Sequence, residues 1–426
     1  MARIEEVRRT FRSTVAVNIG NTMEWFDNVV YGYLAVPIAR VFFPDSDPVV
    51  GVMLTFGTFA ASFFVRPFGA IVLGAYADRS GRKPALILSM ALMSLGTLTL
   101  VAVPSFEQIG LLAPVLMLLG RLLQGFSIGG EFGSATAFLV EQTPSRRAFA
   151  ASWVSSGQGL ANAMAAGFGL MLANLNAADM LSWGWRVPFL FGLLLAPVGW
   201  YIRQHLAEPA EFVSREKSAS PVAELASGHW GNVMTAIGAI VVSTGTNYIL
   251  VYMPTFGVTV LGLPSWTGFA AAVAGGLAVA VLAPVAGIVA DRFGTIRVLV
   301  IACLLLIPSA WICFVAISLV PSFASMLIAI VWLSVIKAFY SGPMAAFLAD
   351  LFPTRLRSSG VAISYSIAVP VFGGITPMIS AWLVKVSGSA MAPAWYLMFM
   401  GLISIASLAY ASRQRLHVAG TASQDA

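Results

Sequence analysis

Six ionisable residues stand inside otherwise apolar stretches: the acids Glu24, Asp27 and Glu131, and the bases Arg66, Arg121 and Lys337. A charge at the centre of a bilayer costs roughly 3 kcal/mol on insertion scales, so each of the six needs a partner or a task. Arg121 is suited to hold an anion, because a guanidinium stays protonated and grips a carboxylate through two parallel hydrogen bonds. Lys337 supplies a cation for a second carboxylate; pairing with Glu24 or Asp27 is its alternative role. Arg66 ranks below both. The acids suit proton handling, because a carboxylate in a low-dielectric site takes or releases a proton when a neighbouring cation moves. A set of six that only tied helices together would be outdone by apolar packing.

Spacing sorts these residues onto faces. Asn21, Glu24, Asn28 and Tyr31 recur at i, i+3, i+7 and i+10, one polar helical stripe with Asp27 beside it. Arg121, Gln124, Ile128 and Glu131 repeat that spacing. Ten residues separate Arg121 from Glu131, about 15 Å along a helix axis. Further along, Asn247, Tyr248 and Tyr252 form one polar group, and Lys337, Tyr340 and Ser341 another.

The elements that must carry these groups are membrane helices. The chain has 426 residues, 58% hydrophobic and 10% charged, against roughly 25% charged in soluble domains. Its mean hydropathy of +0.86 excludes disorder and ordinary soluble enzyme folds. Apolar runs fall near 14–36, 49–76, 84–103, 112–140, 148–173, 185–204, 231–254, 266–289, 296–318, 323–348, 358–384 and 393–411. Twelve runs of about 20 residues or more read as an all-α membrane protein with twelve transmembrane helices. Placing the N-terminus in the cytoplasm puts 18 of the 24 Lys and Arg on the cytoplasmic side, three on the opposite side (Arg40, Arg186, Lys385) and three inside spans. Both termini are therefore read as cytoplasmic. The same distribution accounts for the net charge of +6 without a nucleic-acid partner. Arg8, Arg9 and Arg12 read as a cytoplasmic flank, with no cleavable signal behind them. Cys303 and Cys313 sit in one apolar run and the three histidines are scattered, so no metal site or disulfide framework is read. No Walker loop or dinucleotide fingerprint is present, and no cofactor is expected. Trp183, Trp185, Trp266 and Trp395 lie near run ends, as interfacial belt residues do.

The chain repeats internally. Gly74-Ala75-Tyr76-Ala77-Asp78-Arg79-Ser80-Gly81-Arg82 follows the second run, and Gly287-Ile288-Val289-Ala290-Asp291-Arg292-Phe293-Gly294 follows the eighth, 213 residues later. Pro144-Ser145-Arg146 and Pro353-Thr354-Arg355 follow the fourth and tenth, offset by 209. The reading is two six-helix bundles, 1–204 and 231–412, joined by a cytoplasmic linker 205–230 and followed by a cytoplasmic tail 413–426. Parallel repeats of this kind place a site at the midplane between them.

The Gly-x-x-x-Asp-Arg-x-Gly-Arg loop resembles the signature of the major facilitator superfamily. Asn21 to Asp27, Arg66-Pro67-Phe68-Gly69-Ala70, Gly120 to Glu131 and Trp183 to Phe189 together resemble its metabolite–proton symporter branch. The resemblance spans nearly the whole chain. It implies a multi-pass protein of a prokaryotic inner membrane, working as a monomer by alternating access, with the first and fourth helices of each half lining the cavity. The branch carries citrate and related tricarboxylates, 2-oxoglutarate, shikimate, aromatic acids, proline and betaine. Ile109 to Pro114 and Phe372 to Pro377 read well against citrate-type members.

On that footing Arg121, Lys337, Gln124, Asn28, Tyr31, Asn247, Tyr248 and Tyr340 are candidate substrate ligands for a di- or tricarboxylate. Asp27 and Glu131, which lie within the branch's motifs, lead Glu24 as proton carriers. Asp78, Arg79, Arg82, Asp291, Arg292, Glu141 and Asp350 are candidate gate residues at the cytoplasmic surface. Import of a zwitterionic osmolyte is the first alternative, weakened because osmosensing members carry a long C-terminal helix. Drug export is the second, weakened because the fifth run has glycines but no proline. A non-transporting sensor is the third.

Overall fold

A computed structural model describes residues 2–80, 82–128, 146–194, 221–354 and 356–422. Every secondary-structure element among them is helical. In chain order they are α1 (Ala2–Tyr33), α2 (Ala35–Phe42), α3 (Pro48–Ser80), α4 (Arg82–Ala102), α5 (Phe106–Ile109), α6 (Leu112–Ile128), α7 (Arg147–Leu172) and α8 (Ala177–Ser182). The second half holds α9 (Pro221–Gly228), α10 (Trp230–Thr259), α11 (Ser265–Phe293), α12 (Thr295–Leu319), α13 (Phe323–Asp350), α14 (Arg357–Val369), α15 (Thr376–Ser387) and α16 (Ala392–Ala422).

Seven segments among the described residues are long and apolar enough to cross a membrane: Pro48–Leu73, Trp230–Thr259, Ser265–Phe293, Thr295–Leu319, Phe323–Asp350, Arg357–Ser387 and Ala392–Gln414. Ile87–Ala102, Leu112–Ile128 and Gly184–Leu194 are shorter apolar helices. Helices α1 and α7 are long, yet neither belongs to these sets. Their polar content is the cause: α1 carries Asn18, Asn21, Glu24, Asp27 and Asn28, and α7 carries Ser152, Ser155, Ser156, Gln158 and Asn162. The low hydropathy of these two helices marks the lining of the interior.

The halves pack through small residues. A Cβ added at Gly159 on α7 would lie 2.5 Å from the Ala280 nitrogen on α11, and one at Gly276 on α11 would lie 2.6 Å from the Ala163 nitrogen on α7. Backbones can approach so closely only where side chains are nearly absent, which is how membrane helices gain packing energy without a hydrophobic drive. Between α14 and α15 the chain winds one π turn, Pro370–Gly374. A proline that cannot donate and two glycines give that turn its origin. Gly374 there lies against Phe63 of α3, where a Cβ would approach to 2.7 Å.

The halves are also bridged at both ends. On the face carrying the basic loops, Arg147 at the start of α7 pairs with Asp350 at the end of α13 at 2.8 Å. Beside it the Asp291 carboxylate accepts the N–H groups of Ala148 at 2.9 Å and Phe149 at 3.0 Å, capping α7 from the other half. On the opposite face Lys385 pairs with Asp47 at 2.8 Å. Trp183, Trp266 and Trp395 are exposed, as a belt requires, but Trp185 is fully buried. The 3-10 turn Gly184–Arg186 turns it inward against Phe42 and Phe189, and Arg186 covers its ring at 4.3 Å.

Candidate functional site

The interior holds two cationic centres that meet at consecutive residues of α10. The first is Arg121, which is 1% exposed. The i+3 spacing lets its guanidinium donate to Gln124 Oε1 at 2.7 Å on the same helix. It also donates to Asn28 Oδ1 at 3.3 Å and Ser62 Oγ at 3.2 Å, so α1, α3 and α6 converge on it. Its plane lies 4.6 Å from the Tyr31 ring and 5.2 Å from the Phe59 ring. Such stacking favours a desolvated guanidinium. Its Nε–H has no acceptor among the described residues. Asn28 in turn donates through its amide nitrogen to the Tyr248 hydroxyl at 3.4 Å, joining the halves.

The second centre is Lys337. Its Nζ donates to Asn247 Oδ1 at 2.6 Å. Asn162 of α7 donates to the same oxygen at 3.4 Å, and Tyr33 of α1 donates to Asn162 at 3.2 Å. Again one half is tied to the other. Asn247 and Tyr248 are neighbours on a helix, so they point about 100° apart and serve the two cations separately. The two cations therefore do not share one set of ligands; the link between them is α10.

The remaining candidates fall as follows. The Tyr31 hydroxyl is engaged by Thr58 and Met117. The Tyr340 hydroxyl donates to the Ala239 carbonyl at 2.8 Å, which ties it to the α10 backbone. Tyr252 packs on Phe56 and Phe256. Asp27 has a buried oxygen without a hydrogen-bond partner among the described residues and lies in the field of Arg121. It fits only because position 192 is glycine, where a Cβ would come within 1.9 Å of that oxygen. Glu24 lies in the field of Arg66. Glu131 and Glu141 lie outside the described residues, as do the side chains of Asp78 and Arg82. Arg79 is exposed, and Arg292 lies 5.4 Å from the Phe293 ring.

Arg66 is more central than its place on the second run suggests. It is 7% exposed, stacks 3.9 Å from the Phe63 ring, and shares its field with Tyr248, Tyr365, Glu24 and Arg121. Ser62, Asn162 and Tyr365 also belong to the interior and were not singled out from the sequence. Asn162 was legible, as an amide in a stretch of glycine and alanine. Ser62 and Tyr365 carry no such signal. A cavity of about 40 Å³ lies between the halves, with Gln158, Ser155, Thr244, Asn247, Ser341 and Tyr365 among its lining. It reaches the second centre through Asn247.

Two helical repeats, bridged at both ends around the buried basic side chains Arg121 and Lys337, have the architecture of a membrane transporter. The chain belongs to the Major Facilitator Superfamily, whose profile matches residues 26–278 and 271–421. It is a multi-pass protein of a bacterial inner membrane. It is 38% identical over 403 residues to a citrate-proton symporter of Klebsiella pneumoniae, covering 93% of this chain and 91% of that one. It is 33% identical over 413 residues to a proline/betaine transporter of Escherichia coli strain K12, covering 92% and 82%. In fold it is similar to the crystal structure of a D-xylose-proton symporter, with a TM-score of 0.74, 15% identity and coverage of 94% and 96%.

Proposed function

We propose that the protein imports an organic-acid anion together with protons by alternating access, and that the anion is a di- or tricarboxylate such as citrate. The observation that carries this reading is the pair of buried basic side chains, Arg121 and Lys337, each held by neutral groups and each linked across the halves. An anion reaching both would draw the halves together. Citrate-proton symporters of two bacteria, 37–38% identical over most of the chain, support the choice of acid. Asp27 is the leading carboxylate proton carrier, with Glu24 and Glu131 the other candidates. Twelve spans, cytoplasmic termini and a monomeric working unit complete the reading. The bridges around Asp291, Arg147 and Asp350 act as the cytoplasmic gate, with Asp78, Arg79, Arg82, Arg292 and Glu141 as its other members.

A second reading rests on the proline/betaine relatives at 33–34% identity: import of a zwitterionic osmolyte. One experiment separates the two. Labelled citrate uptake is measured in proteoliposomes under an inward proton gradient, with 2-oxoglutarate, tricarballylate and glycine betaine as competitors. Uptake that collapses with a protonophore and is blocked only by carboxylates supports the first. Absence of citrate uptake alongside betaine uptake overturns it.

A further inference from the structure

Lys337 differs from Arg121 in one chemical respect: an amine can give up its charge inside a protein and a guanidinium cannot. Its surroundings make that difference matter. Lys337 is 4% exposed, and its one hydrogen-bond acceptor is the neutral Asn247. Among the described residues no carboxylate lies within ion-pair distance of it. Among the described residues, the titratable groups that share its two pockets are tyrosine hydroxyls. From α1 comes Tyr33, which donates to Asn162. On its own helix is Tyr340, which donates to Ala239. From α12 come Ala302 and Leu306, which carry no charge. The facing segment of α11 offers only Ala272, Gly275, Gly276 and Val279.

The site also has an unused donor. A small pocket of about 10 Å³, the space of roughly one water molecule, lies beside Lys337, Asn162 and Tyr33, between the two halves. Asn247 lines both this cavity and the larger one, and its buried amide nitrogen has no acceptor among the described residues. A buried donor without an acceptor costs about 1–3 kcal/mol, a cost that an entering anion would remove. An anion there would meet the Asn247 N–H and the Lys337 amine together.

We propose that Lys337 is itself a proton carrier of the transport cycle. Its amine is neutral in the empty carrier. When a carboxylate of the substrate enters beside Asn247, the nitrogen lone pair takes one proton from the outer aqueous side and the ammonium pairs with the anion. When the anion leaves to the cytoplasm, the ammonium loses its counter-charge and returns that proton to water on that side. Anion and proton each strengthen the other's binding by the same factor, which is the coupling a symporter requires. This rests on the organic-acid reading above, and it adds a carrier that is independent of Asp27.

The test uses the wild-type protein. It contains four lysines, Lys83, Lys217, Lys337 and Lys385. Labelling lysine with ¹³C at Cε gives four signals, assigned through Lys83→Arg, Lys217→Arg and Lys385→Arg. At pH 7 the ligand-free protein should show Lys337 at the neutral-amine shift, and citrate should move it to the ammonium shift. Lys337→Arg should still bind citrate, taking up about one proton fewer per citrate in a weakly buffered solution. An ammonium in the ligand-free protein, or a neutral amine with citrate bound, overturns the proton role alone. Failure of citrate, 2-oxoglutarate and tricarballylate all to bind overturns the organic-acid reading and removes the anion this role needs.

Discussion

Arg121 donates to Asn28, Gln124 and Ser62, three neutral acceptors. Its charge is thus solvated by the protein but not cancelled by these contacts, which is the state an anion-binding group needs. Replacing Arg121 with Lys keeps the charge and loses the fork, so citrate affinity should fall about tenfold. Arg121→Ala should cost about 100-fold, in the range of 2–5 kcal/mol for losing one partner of a buried charge pair. Calorimetric titration checks both, and unchanged affinity would remove Arg121 from the site. Asp27 makes a different claim. Asp27→Asn should leave citrate exchange intact and lower the proton-driven accumulation ratio, the proton carried at Lys337 remaining. Gly192→Ala pushes a methyl group into the Asp27 carboxylate and should reproduce that phenotype. Normal accumulation in Asp27→Asn would move the carboxylate role to Glu24 or Glu131.

At the scale of elements, α7 and α11 decide how closely the halves approach. Gly276→Leu should separate them, exposing the interior and lowering the midpoint of thermal unfolding by several degrees; an unchanged midpoint would show that the contact is not needed. The N-terminus of α7 is capped by Asp291 from the other half, where a carboxylate meets the positive end of the helix dipole. Asp291→Ala should favour the state open at that face, read as a longer distance between spin labels placed across it. An unaltered distance distribution would count against a gate.

Helical class, two repeats and the polar stripes on α1 and α6 were legible because hydropathy and spacing act locally. Charges buried in apolar runs announced Arg121, Lys337 and Asp27. What was not legible depends on contacts distant in sequence. Arg66 gains its importance from Phe63, Tyr248 and Tyr365, the last 299 positions away. Arg147 read as a basic flank, and only the meeting of α7 with α13 makes it a partner of Asp350. Trp185 read as a belt residue because a run end resembles a membrane surface in one dimension. The separation of Arg121 from Lys337 by the turn of α10 between residues 247 and 248 likewise needs three dimensions.

At the scale of the whole molecule, bridges at both faces hold the two halves closed about the interior. The bridge between Lys385 and Asp47 can be tuned by pH. Donation from Lys385, together with the N–H groups of Val50 and Val49, holds the Asp47 carboxyl below its ordinary value. The bridge is therefore complete above the ordinary carboxylate value of about 4 and is lost as pH falls below it through the lowered one. Asp47→Asn should mimic the acid state at neutral pH and raise labelling of cysteines placed inside the outer vestibule; unchanged labelling would leave the pair without a latch role.

The central claim is that anion and proton move together. Proteoliposomes in weakly buffered medium, given a pulse of citrate with no imposed gradient, test it most directly. Entry of citrate should make the external medium more alkaline, at a fixed ratio of protons to citrate, and Arg121→Ala should abolish the change. Citrate entry without alkalinisation, or alkalinisation that betaine evokes and citrate does not, would contradict the account.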